Sequence, residues 1–199
     1  PNNIIKIYGG SITAKSAFTY RLVNIPHRIG NNLFIYIIKQ NMEKDTMRYW
    51  LFKSEPESFS IDHLAKRPKQ IEPWNGVRNY QARNMLRDQI KVGDKAFFYH
   101  SNCKPAGIVG IVDIVKNGYS DPTAFDPDSH YFDPKATVDN PRWFMVDVKF
   151  NKKFKQIISL PELKLHPLLE NMQVVQRGNR LSIMPVTHSE WKIILTMAK

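Results

Sequence analysis

Three tryptophans stand where a flat side chain can meet a ligand. Trp74 lies between Pro73 and Gly76. A tryptophan in a loop bounded by proline and glycine offers a plate against which an extruded nucleobase stacks. The competing reading is a plug for one end of a small barrel. Trp50 sits in the aromatic run Tyr49–Lys53 and reads equally as core or as pocket lining. Trp143 follows Pro141 at the head of an alternating strand, where it would supply a second plate opposite Trp74. The fourth tryptophan, Trp191, falls on the apolar side of the last helical pattern and belongs to the core.

Polar groups cluster beside these rings. Lys53-Ser54-Glu55 stands where the first strand breaks, a place from which side chains turn into a mouth. The Ser54 hydroxyl can hydrogen-bond a base edge and Glu55 can accept from an exocyclic amino group such as that of cytosine. Lys53 can meet a phosphate, and Glu55 can instead pair with a neighbouring arginine. Gly76-Val77-Arg78-Asn79 runs into a helix start, whose N–H groups and dipole favour an anion. Gly76 and Arg78 therefore suit a phosphate, while Asn79 either caps the helix or reads the base. Tyr99-His100-Ser101 ends another strand, with His100 open to a structural or a ligand-facing role. Arg83 is an outer phosphate contact or a solvated charge, and Arg177 and Arg180, astride Gly178, form a phosphate-facing or a solvated basic turn.

Other chemistry finds little support. No acidic residue or second histidine stands near His100 at triad or metal spacing. Cys103 is the single cysteine, which excludes an internal disulfide framework and a cysteine zinc site. Asp121, Asp126, Asp128 and Asp133 lack the spacing and closing glutamate of a calcium loop. There is no phosphate-binding glycine loop and no dinucleotide fingerprint. These spacings give no support for a bound metal.

Several short elements must position these groups. Tyr49–Lys53 and Lys95–His100 read as buried strands, and Gly107–Val115 as a β-branched strand whose glycines permit a bulge. Phe144–Asn151 alternates like a half-buried strand. Ser60 and Asn79 can cap helices, the second with Ala82, Met85 and Leu86 on its apolar side. Ser159-x-x-Glu162 and Thr187-x-x-Glu190 are capping boxes. A further strand is expected near Arg180–Ile183, and residues 121–141 read as a long loop. Strands and helices alternate without a βαβ repeat, which points to a small bent α+β sheet or barrel.

Residues 1–46 read as an appendage. They hold six basic and two acidic residues without sustained periodicity, like a transit segment or translated upstream sequence ahead of Met47. Residues 47–199 carry 23 basic and 16 acidic residues, so the net charge of +11 does not depend on the appendage. Such a surface favours a polyanion, most simply nucleic acid. The longest apolar run, Leu33–Ile38, is far short of the ~18–20 residues that span a bilayer.

Four stretches, Tyr49–Pro56 (YWLFKSEP), Trp74–Arg83 (WNGVRNYQAR), Phe98–Asn102 (FYHSN) and Pro141–Val148 (PRWFMVDV), together resemble the EVE domain over roughly residues 47–197. The resemblance implies a PUA-like fold, a curved, mostly antiparallel β-barrel flanked by helices, related to YTH and ASCH domains. It implies a reader of a modified base, chiefly modified cytosine in DNA with RNA also considered, that needs no cofactor. We expect a monomer with no membrane partner. The expected pocket comprises Trp50, Ser54, Glu55, Trp74, Val77, Asn79, Tyr99, His100, Ser101 and Trp143, with Lys53, Gly76, Arg78, Arg83, Arg177 and Arg180 toward phosphate. Such a protein is expected in the cytoplasm, or in the nucleus of a eukaryote. The alternative is an ASCH-like hydrolase using Lys53 and Glu55 as acid and base, and a third reading is a protein-interaction domain.

Overall fold

The computed structural model describes Met47–Lys199 throughout and, within residues 1–46, three short strands. The chain divides into two compact units, Pro1–Thr46 and Met47–Lys199. In the first, β1 (Lys6–Tyr8), β2 (Ser11–Thr13) and β3 (Thr19–Arg21) pair antiparallel in that order. Three-residue strands are too short to show the period-2 pattern by which strands are read.

The second unit is an α+β domain built on one six-stranded sheet. Its strands are β4 (Tyr49–Ser54), β5 (Ile71–Pro73), β6 (Lys95–His100), β7 (Gly107–Ser120), β8 (Phe144–Ser159) and β9 (Ile183–Val186), in the order β5-β8-β7-β6-β4-β9. Only β4 and β6 run parallel; the other four pairings are antiparallel. The expected closure into a barrel is not found: β5 and β9 are the two edges and do not pair. Both edges carry a proline, Pro73 and Pro185, which has no N–H to give to a further strand.

The curvature comes from β7 and β8, which run 14 and 16 residues and slip register at several points. Gly110 makes one slip possible. A Cβ there would lie 2.2 Å from the Lys152 carbonyl oxygen and 2.3 Å from the Ile61 side chain. Both strands outrun their expected ends at Val115 and Asn151, because alternation fails where the ladder bulges. The short strand β5, three residues ending at Pro73, is too brief to show a strand pattern in sequence. The strand expected near Arg180–Ile183 begins instead at Ile183, after a 3₁₀ turn at Gln173–Val175.

Helices cover both sides of the sheet. On one, α1 (Ile61–Lys66) and α2 (Tyr80–Asn84), prolonged by a π turn at Met85–Gln89, bury Ile61, Leu64, Ala82 and Leu86 with Trp50, Phe52, Phe98 and Val148. On the other, α3 (Leu160–Leu165) and α4 (His188–Met197) bury Leu163, Trp191 and Ile194 with Leu51, Phe97 and Phe154. The four expected caps are all made: Ser60, Asn79, Ser159 and Thr187 each accept an N–H of the first turn.

Gly110→Ala should destabilise the domain by about 1–3 kcal/mol, the usual cost of forcing atoms into a packed site. Thermal unfolding measures it, and an unchanged melting temperature would contradict the close approach of β8.

Candidate nucleic-acid interface

The parallel pairing of β4 with β6 brings two strand ends side by side, Lys53 opposite Tyr99 and Ser54 opposite His100. The Ser101 N–H donates to the Ser54 carbonyl at 2.9 Å, and the Lys53 N–H donates to the Ser182 carbonyl at 2.8 Å. Three segments distant in sequence therefore meet at one edge. Alternation along the strands sends Ser54 and His100 to the face of Phe52 and Phe98, and Lys53 and Tyr99 to the opposite face.

On the first face Trp74 packs edge-to-face against Phe52, Phe98 and Phe59, with centroids at 5.1, 5.2 and 6.2 Å. It is only 7% exposed, so the expected open loop plate is instead largely roofed. None of these three rings stacks parallel on the indole. Phe59, half-buried, continues the cluster toward solvent. His100 accepts the Ile61 N–H at Nε2 (3.2 Å), and burial lowers its pKa, so the imidazole is neutral. The Ser54 hydroxyl has no hydrogen-bond partner among the described residues, and Glu55 is exposed beside it.

Residues following Trp74 are locked by a buried carboxylate. Asp121, 0% exposed, accepts from the Gly76 N–H at 2.9 Å and from Arg78 Nη1 at 2.8 Å through one oxygen. Its other oxygen accepts from the Thr123 N–H and hydroxyl at 3.0 and 2.6 Å. Arg78 also donates to Thr123 Oγ1 and to the Tyr131 carbonyl. Burial pushes the Asp121 carboxyl up, but the bonds from Arg78, Thr123 and Gly76 together outweigh it and leave the group below its ordinary value. Gly76 has φ +75°, and a Cβ there would sit 2.6 Å from the Tyr131 ring, so glycine is required twice over.

This geometry corrects several sequence expectations. Gly76 and Arg78 already have an anion, Asp121, and are not free for phosphate. Asn79 is a helix cap, its Oδ1 accepting from the Gln81 and Ala82 N–H groups. Val77 is core. Trp50 is 2% exposed and donates its indole N–H to Asp94 at 2.9 Å, so it lines no pocket. Trp143 belongs to a separate small cluster with Ala124 and Ala136, held by Asp133 at 2.7 Å and stacked on Tyr80, and does not oppose Trp74. Arg83 turns inward, donating to the Arg142 carbonyl and lying 4.9 Å from the Tyr80 ring.

Lys53 has no acidic partner among the described residues; its ammonium lies 6.0 Å from the Tyr99 ring and burial lowers its pKa. Burial raises the Tyr99 phenol, which stays a donor. Arg177 and Arg180 are exposed on a turn closed by Asn179, which donates to the Gln173 carbonyl and accepts the Leu181 N–H. Because Ser182 is bonded to Lys53, this turn stands at the same rim. Sequence reasoning missed Phe52, Phe59 and Phe98 as the frame of Trp74, and Asp121 as the lock. The Asp-Pro-Thr capping pattern at 121–123 was the one local trace of the latter. Among the described residues no group of His, Cys, Asp or Glu could hold a metal ion.

Comparison with known proteins follows the same boundaries. The EVE domain model matches residues 48–197. Thymocyte nuclear protein 1 of Homo sapiens is 45% identical over 175 residues, 79% of this chain and 77% of that protein. Its counterpart in Gallus gallus is 47% identical over 171 residues, 77% and 70%. Among solved structures, a Pseudomonas syringae protein is 50% identical with a TM-score of 0.72, over 76% of this chain and 99% of that one. The human THYN1 protein, solved in complex with 5-methylcytosine-containing DNA, is 46% identical with a TM-score of 0.72, over 76% and 98%.

Asp121→Asn should cost about 3 kcal/mol at neutral pH, the scale of breaking a buried ion pair. The folded state holds this carboxyl below its ordinary value of 3.8, so its contribution is full above that pH and is lost as pH falls through the lowered value. The penalty should therefore shrink in strong acid. Denaturant midpoints at both pH values measure it, and an equal penalty would contradict the charged lock.

Proposed function

Since the chain belongs to the EVE domain family, we propose that it is a nucleic-acid-binding module that reads a modified cytosine in DNA. The base, extruded from its strand, would enter between the β4 and β6 ends, stack on Trp74 and meet the Ser54 hydroxyl and neighbouring backbone. Phosphate contacts from Lys53, Arg177 and Arg180 would position the strand, while the pocket specifies the base. The observation that carries the reading is the junction of an unpartnered hydroxyl, an indole with no ring stacked on it and three rim cations without acidic partners. The relative solved with 5-methylcytosine DNA supports the same base.

Trp74 is roofed in the unliganded protein, so a base reaches it only if Phe59 moves aside. We read the protein as monomeric, as nuclear in keeping with the name of its relatives, and as a DNA binder without catalytic turnover. Incubated nucleosides should emerge unchanged.

The test is a binding panel of matched oligonucleotides carrying cytosine, 5-methylcytosine, 5-hydroxymethylcytosine or N6-methyladenine, in DNA and RNA. A modified cytosine in DNA should bind best. Trp74→Ala would cost ~3–5 kcal/mol of stability through lost packing, so Trp74→Phe is the cleaner variant. It should fold and lose part of the ~1–3 kcal/mol that a base gains by stacking, more for the modified than for the plain strand. Equal affinity for all strands would refute the reading.

Salt dependence separates position from specificity. Each of Lys53→Gln, Arg177→Gln and Arg180→Gln should make the slope of log affinity against log salt shallower by roughly 0.7 on single strands, one phosphate each. Unchanged slopes would remove these residues from the rim.

A further inference from the structure

We propose that the sheet surface around Lys149 and Lys152 on β8 is a second phosphate-tracking site, which holds the duplex backbone beyond the extruded base. The inference rests on the nucleic-acid reading above. Its starting point is a bulge. Across the β7–β8 ladder Asp113 faces Lys149, Val112 faces Phe150 and Ile111 faces Lys152, so Asn151 is the extra residue. In an unbroken strand residues three apart point to opposite faces. Here Asp113 and Ile111, two apart on β7, share a face, and their cross-strand partners share it with them. The bulge thus turns Lys152 onto the face of Lys149.

The same face carries Lys95, paired with Asp113 at 2.5 Å, and at the far end of β6 and β4 it carries Tyr99 and Lys53. Two acids stand on this face and both have partners: Asp113 takes Lys95 on one oxygen and the Asn151 amide on the other, at 2.8 Å, and Asp147 takes the Tyr119 hydroxyl. Lys149 and Lys152 are exposed and have no acidic partner among the described residues. Residues 151–153 are all exposed in succession, so both faces of β8 are open to solvent at this bulge. Bulges commonly re-aim side chains beside functional sites. Between Lys53 and Lys95 this face is covered, with Leu51, Phe97 and Tyr99 buried beneath α3 and α4, so its cations emerge at two separate margins. Strand rise is about 3.3 Å per residue, so the four steps from Tyr99 to Lys95 span about 13 Å. Duplex DNA carries a phosphate every ~3.4 Å per strand, so the two margins lie about four phosphates apart. A polyanion of regular charge spacing fits this arrangement better than a single small anion, because no enclosed cavity is formed.

The experiment compares the full chain with Lys149→Gln/Lys152→Gln on a duplex with a central 5-methylcytosine and on its unmethylated match. Both substituted side chains are exposed and unpaired, so melting should not change. The salt slope should become shallower by about 1.8, one ~0.9 contribution per lost duplex phosphate contact, on both duplexes alike. Lys149→Arg/Lys152→Arg should restore it. An unchanged slope would overturn the inference, and so would loss of binding to anionic phosphatidylserine vesicles with DNA binding intact. If the slope shifts but neither duplex is preferred, the base-reading proposal fails and the second site stands. If preference persists with the slope unchanged, the reverse holds.

Discussion

A carboxylate with no exposure to water must be paired, and Asp121 meets that demand with Arg78, Thr123 and the Gly76 N–H. The consequence reaches well beyond the pair. Arg78 lies 43 residues from Asp121 in sequence, so one interaction joins the loop after Trp74 to the loop between β7 and β8. Gly76 is held at a positive φ against the Tyr131 ring, and Asn79 is set to cap α2. From the other side the Trp74 N–H is tied to the Val146 carbonyl at 2.8 Å. The backbone at Trp74 is thus anchored before and after, and Phe52, Phe59 and Phe98 pack around the indole.

The sheet supplies the rest of the geometry. Parallel pairing of β4 with β6 is what makes two strand ends open at the same edge; an antiparallel pair would have sent them apart. The alternating side chains then give the two faces different work. Ser54, His100 and the rings around Trp74 lie on one; Lys53 and Tyr99 lie on the other, at the margin of the core that α3 and α4 cover. In the proposed reading an extruded base takes the apolar slot with its few polar atoms, and its backbone meets cations at the rim.

Much of this was legible locally. Ser60, Asn79, Ser159 and Thr187 cap helices through contacts within three residues, and the pattern of residue types is the mechanism itself. Strands β4 and β6 announced themselves by continuous apolar runs. What sequence could not show depends on partners far along the chain. Arg78 looks like a free phosphate ligand until Asp121 is seen beside it. Trp74 looks exposed between a proline and a glycine until Phe52, Phe59 and Phe98, from three other segments, are seen around it. Trp50 and Trp143 are likewise claimed by Asp94 and Asp133. Lys152 was hidden for a different reason, since a bulge erases the alternation by which a strand's faces are assigned.

The central claim is that a modified cytosine leaves its helix and lodges against Trp74. A duplex bearing one ¹³C-labelled 5-methyl group, followed by NMR as protein is added, tests it most directly. Rings packed around the pocket should shift the methyl resonance upfield, and the imino proton of the partner guanine should disappear as its pair opens. A methyl resonance that stays in place, with the guanine imino proton retained at saturating protein, would contradict the account.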